Sequence, residues 1–304
     1  MFAAPPFVET TVFTRLPDSL RKTVHTPFSL GRGGPALHSF LEGPSFDRDG
    51  NLYCVDIPHG RIFRISRSGQ WQVFAEYEGE PNGLKIHRDG RIFVADAKNG
   101  ILYFDPATGK RHDVLNRWHH EPLRGVNDLV FDERGDLYFT DPGYSDYLNP
   151  KGRVFRLRST GEVDLLAKDL PLPNGLVLNP QENLLYVALT RSNQVIAIPL
   201  RPNYQGVGKT GVLLNLSGGL AGPDGLAVDE SGSLAVVHAG FGTVWVFSAL
   251  GEPLHRIRSC AGLRTTNMAY GGADRRTLYI TEAESGSILQ AQLTSPGRVM
   301  FSHS

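Results

Sequence analysis

The amino-acid sequence predicts an all-β fold built from one repeated unit, and three observations support this prediction. A segment of about fifteen residues recurs six times, its apolar runs are short and rich in Val, Ile, Phe and Tyr, and turn signals interrupt every unit. The start-to-start spacings are 40, 45, 47, 50 and 43 residues, and the units begin at Glu42, Asn82, Asn127, Asn174, Asp224 and Asn267. Periods of this length are typical of propeller blades, whereas helical repeats need longer periodic apolar segments.

Each unit has the same internal order of strands and turns. A first strand runs into a turn such as Arg88-Asp89-Gly90, where glycine accepts the positive φ that tight hairpin turns require. A second strand follows at 91–94, and other units show a third strand, as at 61–64, and a fourth, as at 71–74. Six repeats of four antiparallel strands predict a six-bladed β-propeller of four-stranded antiparallel blades.

The two chain ends offer alternative ways to close the ring of blades. Residues 8–14 have the pattern of a strand, and we expect them to complete the last blade and leave no large exposed edge. The tail at 298–301 is the alternative source of that strand. Residues 17–40 are polar, rich in Gly and Pro and unlike the repeats, which is typical of a functional loop. We therefore divide one domain into 1–40, the closing strand with a leading segment, and 41–304, the propeller.

Composition excludes several classes of partner. The 304 residues carry 31 basic and 31 acidic side chains, so we expect no nucleic-acid partner and no membrane association. No stretch has the roughly 18 apolar residues of a membrane span, and no basic start precedes an apolar run, so we expect a cytoplasmic protein without a signal peptide. Cys54 and Cys260 form neither a metal-ligand pair nor a disulfide framework.

Every unit begins with a side chain that carries an oxygen acceptor. These side chains belong to Glu42, Asn82, Asn127, Asn174, Asp224 and Asn267. The first strand of a propeller blade is the innermost one, so the six oxygens should converge at one end of the central tunnel.

A second set of mostly polar residues stands where the second strand of each unit ends. Because the second strand is antiparallel to the first, its end lies beside the start of the first strand. We therefore expect both sets to face the same mouth of the tunnel. The second set is Asp56, Asp96, Asp141, Leu189, His238 and Glu282.

Convergent carboxylate and amide oxygens are the ligands of a hard divalent cation. Ca²⁺ takes six to eight oxygens, and Mn²⁺ and Mg²⁺ accept the same ligand types. Glu42 and Asp224 would neutralise one such ion, with Asn127 and Asn174 as neutral ligands. For Asn82 a turn role in Asn-Gly competes with a role beside the metal. Asn267 is expected to orient other groups.

Five segments of the chain resemble a known family. In chain order they are Leu41-Glu42-Gly43-Pro44, Val126-Asn127-Asp128-Leu129 with Phe139-Thr140-Asp141-Pro142, Pro173-Asn174-Gly175-Leu176, Pro223-Asp224-Gly225-Leu226 and Thr266-Asn267-Met268-Ala269-Tyr270-Gly271-Gly272. Together they resemble the gluconolactonase and regucalcin (senescence marker protein) family of lactonases, over about residues 41 to 293.

The resemblance implies a six-bladed propeller with a single divalent cation. By motif, the cation would be held by Glu42, Asn127, Asn174 and Asp224; it is most often Ca²⁺ in the family, with Zn²⁺, Mn²⁺, Mg²⁺ or Fe²⁺ in some members. Several sugar lactonases have an arginine where this chain has Gly125, and Arg124 stands one residue earlier. The segment 17–40 is also longer than the corresponding segment of the animal members. Both departures bear on the identity of the substrate, and neither involves the metal ligands.

The reaction expected from these residues is hydrolysis of a small sugar or related lactone. The cation would act as a Lewis acid on the carbonyl and lower the pKa of a bound water. Asp224 is the candidate general base, and Asp141, Glu282 and His238 are alternatives. Structural roles for Asp141 and His238 are the competing interpretation.

Aromatic and basic residues near Asn127 are candidates for the rim of the mouth. They are Arg124, Tyr144 and Trp118, with the His119-His120 pair as a further rim or plain surface element. Such groups would suit a polyol or a ring that bears a carboxylate.

Two other functions fit the same residues. One is a metal-dependent phosphotriesterase of the organofluorophosphate-hydrolase type, and the other is a non-catalytic propeller that binds a metal or a partner. The sequence contains no G-x-S-x-G nucleophile elbow and no His-Glu-x-x-His motif.

Overall fold

The computed structural model describes residues 4–31, 33–219 and 221–304 and shows six blades around one axis. Blade one comprises Leu41–Phe46, Leu52–Asp56, Arg61–Ile65 and Trp71–Glu76, and blade two comprises Pro81–Ile86, Ile92–Asp96, Gly100–Phe104 and Arg111–Leu115. Blade three comprises Leu129–Phe131, Leu137–Asp141, Gly152–Leu157 and Val163–Leu170, and blade four comprises Pro173–Leu178, Leu184–Leu189, Gln194–Pro199 and Gly211–Asn215. Blade five comprises Gly222–Val228, Leu234–Ala239, Thr243–Phe247 and Pro253–Arg258. Three strands of blade six are Thr265–Gly271, Thr277–Glu282 and Ser287–Gln292. Successive strands within each blade pair antiparallel, so the predicted six-bladed propeller is confirmed.

The N-terminus supplies the fourth strand of blade six. Thr11–Arg15 pairs antiparallel with Ser287–Gln292, which confirms that an N-terminal strand closes the ring. The single strand expected over 8–14 is in fact divided, because Phe7–Glu9 pairs parallel with the outer strand of blade five instead. The N-terminal segment therefore joins the outer edges of two adjacent blades.

The C-terminal tail lies across the opening of the tunnel opposite the strand starts. Gly297 forms a bridge with Asp229 of blade five, and the Phe301 ring stacks on Phe131 of blade three with centroids 5.0 Å apart. The Ser302 hydroxyl donates to the Phe46 carbonyl of blade one at 3.1 Å. The tail is thus a strap over the lower opening, and the alternative in which it supplies the closing strand is wrong.

The segment before the repeats packs at the junction of blades six and one. Its helix Pro27–Gly31 brings Phe28 against a small cluster with Phe40, Ile57 and Ala283. The remaining helical turns are 3₁₀ helices at Asp18–Leu20, Ile57–His59, Thr190–Ser192, Pro202–Tyr204 and Phe301–His303, and short strands Arg117–Trp118 and Glu121–Pro122 form a hairpin before blade three. No helix in the described ranges is long and apolar enough to span a bilayer.

The apolar core lies between the blades. Buried clusters join each sheet to the next; one of them contains Leu176, Val187 and Ile198 of blade four together with Tyr138 and Val154 of blade three. Alternating residues of each strand face opposite sides of the sheet, so both faces of a blade contribute to such clusters. This packing fixes the angle between neighbouring blades and holds the six inner strands around the tunnel.

Candidate metal centre

The inner strands are irregular where they carry the polar side chains. Pairing with the second strand shifts register between Glu42 and Ser45, between Pro81 and Gly83, and between Pro173 and Leu176. The same interruption occurs between Pro223 and Leu226 and between Thr265 and Met268. In blade three the regular strand begins only at Leu129, after Asn127. Such irregularities bend a strand and re-aim its side chains, here at the end of the tunnel that we call the upper mouth.

Close contacts between adjacent blades join the six starting positions into a ring. The Gly83 amide donates to the Asn127 carbonyl at 2.6 Å, and the Thr140 hydroxyl donates to the Asn174 carbonyl at 2.8 Å. The Thr190 and Thr266 hydroxyls donate at 2.8 and 2.7 Å to the carbonyls of Pro223 and Leu41, which precede Asp224 and Glu42. The expected convergence of the inner strand starts is therefore present.

Glycine follows the polar residue in four of the six blades because the neighbouring blade leaves no space for a Cβ. A Cβ at Gly43 would lie 2.6 Å from the Asn82 carbonyl oxygen, and one at Gly175 would collide with the Asp224 carbonyl. A Cβ at Gly225 would overlap the Asn267 side chain. The Glu-Gly, Asn-Gly and Asp-Gly pairs are thus needed for close packing around the axis and not only for turns.

Glu42 is a buried carboxylate among other carboxylates. It is 3% exposed, and its Oε2 accepts hydrogen bonds from the Gly43 amide at 2.5 Å and from Asn267 Nδ2 at 2.9 Å. Burial, and then the negative charges of Asp224 and Asp128, raise the pKa of Glu42 well above its ordinary value. Among the described Lys and Arg residues, none forms an ion pair with this carboxylate.

The other predicted ligands are only partly buried. Asn127, Asn174 and Asp224 are half-buried, as is Asn82, whereas Asn267 is buried. The Asn174 amide nitrogen donates to the Thr190 hydroxyl at 3.2 Å, so this bond does not use the carbonyl oxygen that a cation would need. Asn267 is linked directly to Glu42, which agrees with the orienting role expected for it.

The second set of polar residues has its contacts within individual blades. Both Asp141 oxygens are engaged, one by the Arg124 amide at 2.7 Å and the other by the Arg153 guanidinium at 2.9 and 2.5 Å. The Glu282 carboxylate accepts from the amides of Glu284 and Ser285 in its own loop. Hairpin geometry fixes the height of these residues along the axis but not their distance from it. Roles for Asp141 and Glu282 beside the substrate stay predictions.

His238 is fully buried beside the same mouth. Its Nε2 lies 3.1 Å from the Gly218 carbonyl, and its ring stacks on Phe241 with centroids 4.8 Å apart. Burial lowers the pKa of this imidazole below its ordinary value. A catalytic role for His238 also stays a prediction.

The rim residues differ in how firmly they are held. The Arg124 guanidinium donates to the Lys151 carbonyl at 2.9 Å and pairs with Glu121 at 3.3 Å. Trp118 packs on Phe155, with centroids 5.3 Å apart, and on His119. Tyr144 is 98% exposed. Arg124 and Trp118 are therefore held by their neighbours, whereas Tyr144 projects into solvent; the place of all three at the rim stays a prediction.

Two charged residues on the axis were missed by the sequence reasoning. Asp128 is 2% exposed, and its Oδ2 accepts from Asn267 Nδ2 at 3.3 Å, although blades three and six lie on opposite sides of the tunnel. Lys85 Nζ lies 4.0 Å from Asp128 Oδ1. A signal was available in the repeats, because Asp128 replaces the glycine of four other units and Lys85 stands where the other five units have an uncharged residue, Ser, Val, Ala or Tyr.

The donor chemistry of the ring fits a hard divalent cation. The predicted set combines two carboxylates, Glu42 and Asp224, with the carboxamides of Asn127 and Asn174, and like-charge repulsion at Glu42 is the condition that a cation would relieve. In the described ranges no group of three or more His, Cys, Asp or Glu side chains is arranged to hold a metal. The proposed set takes half of its ligands from asparagine.

Comparisons with known proteins place this architecture in a family. The SMP-30/Gluconolactonase/LRE-like region matches residues 40–284. The gluconolactonase of Zymomonas mobilis is 32% identical over 276 residues, covering 80% of this chain and 76% of that protein. Lactonase drp35 of Staphylococcus haemolyticus is 30% identical over 227 residues, covering 71% and 69%.

Solved structures show the same fold. A gluconolactonase from Xanthomonas campestris superposes with a TM-score of 0.74 at 24% identity, covering 84% of this chain and 86% of that one. The calcium-binding protein regucalcin from Agrobacterium tumefaciens gives a TM-score of 0.79 at 20% identity, covering 99% and 100%. These likenesses show the fold, and the family match over residues 40–284 together with the sequence relatives shows that the chain belongs to the SMP-30/gluconolactonase/LRE-like family.

Proposed function

We propose that this protein hydrolyses a small lactone at the upper mouth of its propeller, using one divalent cation held by Glu42, Asn127, Asn174 and Asp224. The observation that supports the proposal is the buried Glu42 carboxylate, because burial and the charges of Asp224 and Asp128 disfavour its ionised form and a bound cation would offset that cost. The lactonase names of the sequence relatives support the same reaction. The oxygen-only ligand set favours Ca²⁺.

The ring residues have separate tasks in this proposal. A cation bound there would supply Lewis acidity toward the lactone carbonyl and would acidify water. Asp224 takes a proton from the attacking water while the water oxygen bonds to the lactone carbonyl carbon. The ring C–O bond then breaks, and the oxygen that leaves the ring receives the proton from Asp224. The product is an open-chain hydroxy acid. Asp224 is the candidate base because it is a carboxylate that this proposal sets beside the cation and the attacking water.

The two cysteines bear on the cellular compartment of the protein. Cys54 is buried, Cys260 is exposed, and both are free thiols. Free thiols of this kind are usual in a reducing compartment, so we propose that the protein acts in the cytoplasm.

The decisive experiment is a hydrolysis screen with a pH indicator. Enzyme freed of metal by a chelator is reloaded with Ca²⁺, Zn²⁺, Mn²⁺ or Mg²⁺ and offered sugar lactones, non-sugar lactones and one phosphotriester. We expect cation-dependent opening of a lactone, and loss of about 10²–10⁴-fold in kcat for Asp224→Asn. The matched control is Asp169→Asn, at a side chain that is 72% exposed, which should leave the rate unchanged. Turnover of the phosphotriester alone, or full activity after chelation, would refute the proposal.

A further inference from the structure

At two positions that follow the ring residues, the six inner strands carry uncharged residues in every blade but one. The exception at each position is a charged residue. One position after the ring residues, four blades have Gly, blade six has Met268 and blade three has Asp128. Three positions after the ring residues, the wall consists of Ser45, Val130, Val177, Ala227 and Tyr270, with Lys85 as the exception. The two exceptions have opposite charges and stand on neighbouring blades.

These exceptions meet on the axis beneath the ring. Lys85 Nζ lies 4.0 Å from Asp128 Oδ1, an ion-pair distance, and donates to the Leu84 carbonyl at 3.2 Å. A Cβ at Gly83 would lie 2.6 Å from Asp128 Oδ1, so the glycine of blade two makes the space that the aspartate fills. The pair is therefore built into the packing of blades two and three.

Below the pair, most of the tunnel wall is apolar. Lys85 lines a cavity of about 360 Å³ whose wall includes Val130, Val177 and Met268 and whose lower side is covered by the C-terminal strap. The ammonium thus stands between this mostly apolar wall and the carboxylates of the ring. The Lys85 side chain is 24% exposed and the Asp128 side chain 3% exposed, so the pair is screened by salt less than an ion pair on the open surface.

Asp128 connects this ammonium to the proposed cation site. Asn267 Nδ2 donates both to Asp128 Oδ2 and to Glu42 Oε2, at 3.3 and 2.9 Å. The contacts form a continuous path of Lys85, Asp128, Asn267 and Glu42. When Glu42, Asp128 and Asp224 are all ionised, as cation binding would require, three negative charges and the one ammonium sum to −2, the charge that one divalent cation neutralises.

We infer that Lys85 is a positioning residue that acts as an internal cation: it offsets Asp128, fixes the Asn267 bridge to Glu42 and sets the axial charge to match a single divalent ion. The inference rests on the proposed function, since it assigns the preference of the same site for divalent over trivalent ions. Lys85 does not touch the substrate in this scheme. Its effect is electrostatic and passes through Asp128.

The test compares Ca²⁺ with Tb³⁺, ions of similar size and different charge, by titration calorimetry of metal-free protein. Lys85→Met should bind Ca²⁺ about tenfold more tightly than the wild type and should gain still more for Tb³⁺, because the axis then carries −3. Asp128→Asn should weaken Ca²⁺ binding. The double variant should return to within about threefold of the wild type, and Lys85→Arg should resemble the wild type.

Two controls separate charge from damage to the fold. Lys110→Met removes an exposed ammonium of the same blade and should change neither dissociation constant. In metal-free protein, Lys85→Met should lower the melting temperature by about 4 °C or more, and adding Asp128→Asn should restore it. Weaker binding of both ions by Lys85→Met, or unchanged binding, would overturn the inference.

Failure of the proposed function would look different. If the wild type binds neither ion, the cation site itself is refuted, and the melting temperatures of the metal-free variants still test the pair. A melting temperature that falls in metal-free Lys85→Met and recovers in the double variant would support the Lys85–Asp128 pair. Equal melting temperatures of the wild type and Lys85→Met would overturn the pair.

Discussion

At the scale of single residues, the most informative group is Glu42. A carboxylate that is 3% exposed and faces two further carboxylates opposes folding when it is ionised. The folded state tolerates such a buried carboxylate only when a proton, a hydrogen-bond network or a cation offsets its charge. Asn267 and the Gly43 amide supply part of that offset here. The proposed cation supplies the rest, which connects the energetics of folding with function.

The raised pKa of Glu42 gives a pH dependence with a definite sign. The folded carboxyl holds its proton above 4.5, its ordinary pKa, so between that value and the folded pKa the native state binds more protons than the unfolded state. Stability contributed by Glu42 therefore falls as the pH rises. Without divalent cations, the free energy of unfolding of the wild type minus that of Glu42→Gln should decrease from about pH 5 to pH 8.

Urea unfolding in chelator checks this dependence. The buried histidines of the protein have lowered pKa values and cancel in the difference, because both proteins contain them. Glu252→Gln, at an exposed position of blade five, should give a difference that does not change with pH. A wild-type advantage over Glu42→Gln that increases with pH would show that the sign is wrong.

At the scale of strands and turns, the ring depends on irregular strand starts and on the glycines that follow them. Gly225 is the clearest case, since a Cβ there would overlap both the side chain and the Cα of Asn267. Gly225→Ala should lower the free energy of unfolding by about 1–3 kcal/mol, because overpacking forces the neighbouring blade to shift. It should also weaken cation binding, since Asn267 holds Glu42.

Denaturant unfolding and calorimetry measure these two effects. The matched control is Gly211→Ala in the outer strand of blade four, where an added Cβ meets nothing within 4 Å. That variant should change stability by no more than about 0.5 kcal/mol. Equal effects of the two substitutions would mean that close packing at the ring is unimportant.

The N-terminal strand gives a second prediction for an element. Removal of residues 1–15 would leave Ser287–Gln292 as an unpaired edge and would remove the contact of Phe13 with Tyr279, whose rings lie 5.2 Å apart. We expect a lower melting temperature and concentration-dependent light scattering, because an exposed edge strand pairs with other chains. Removal of residues 1–6 alone, which precede both strands, should have a much smaller effect.

The elements were predictable where local patterns determine them. Arg88-Asp89-Gly90 and the alternation around it define a hairpin without knowledge of the rest of the chain. The split of the N-terminal segment was not predictable, since periodicity identifies a strand but not the edge with which it pairs. Asp141 shows a similar limit: its height in the blade followed from hairpin geometry, whereas its bond to Arg153 depends on side-chain packing.

At the scale of the whole molecule, the ring closes because six units of similar size surround one axis. The repeat brings together residues as far apart in sequence as Glu42 and Asn267, which are hydrogen-bonded at 2.9 Å. The candidate ligands were predictable because they occupy the same position in every unit. Asp128 and Lys85 were not recognised because their importance comes from contacts among blades two, three and six, which no single unit reveals.

The architecture also separates two regions of the tunnel. The upper mouth carries the ring, and the lower chamber has a mostly apolar wall that includes the C-terminal strap. The bond from Asn267 to Asp128 crosses the axis between them. The proposed chemistry belongs to the upper region, and the lower region contributes the fixed charge of Lys85.

The most direct test of a cation held by Glu42, Asn127, Asn174 and Asp224 is an anomalous difference map from crystals grown with Mn²⁺. We expect one strong peak on the propeller axis, with an oxygen of each of these four side chains within about 2.6 Å of it. A map without an axial peak, or with a peak coordinated by other residues, would refute the proposed cation site.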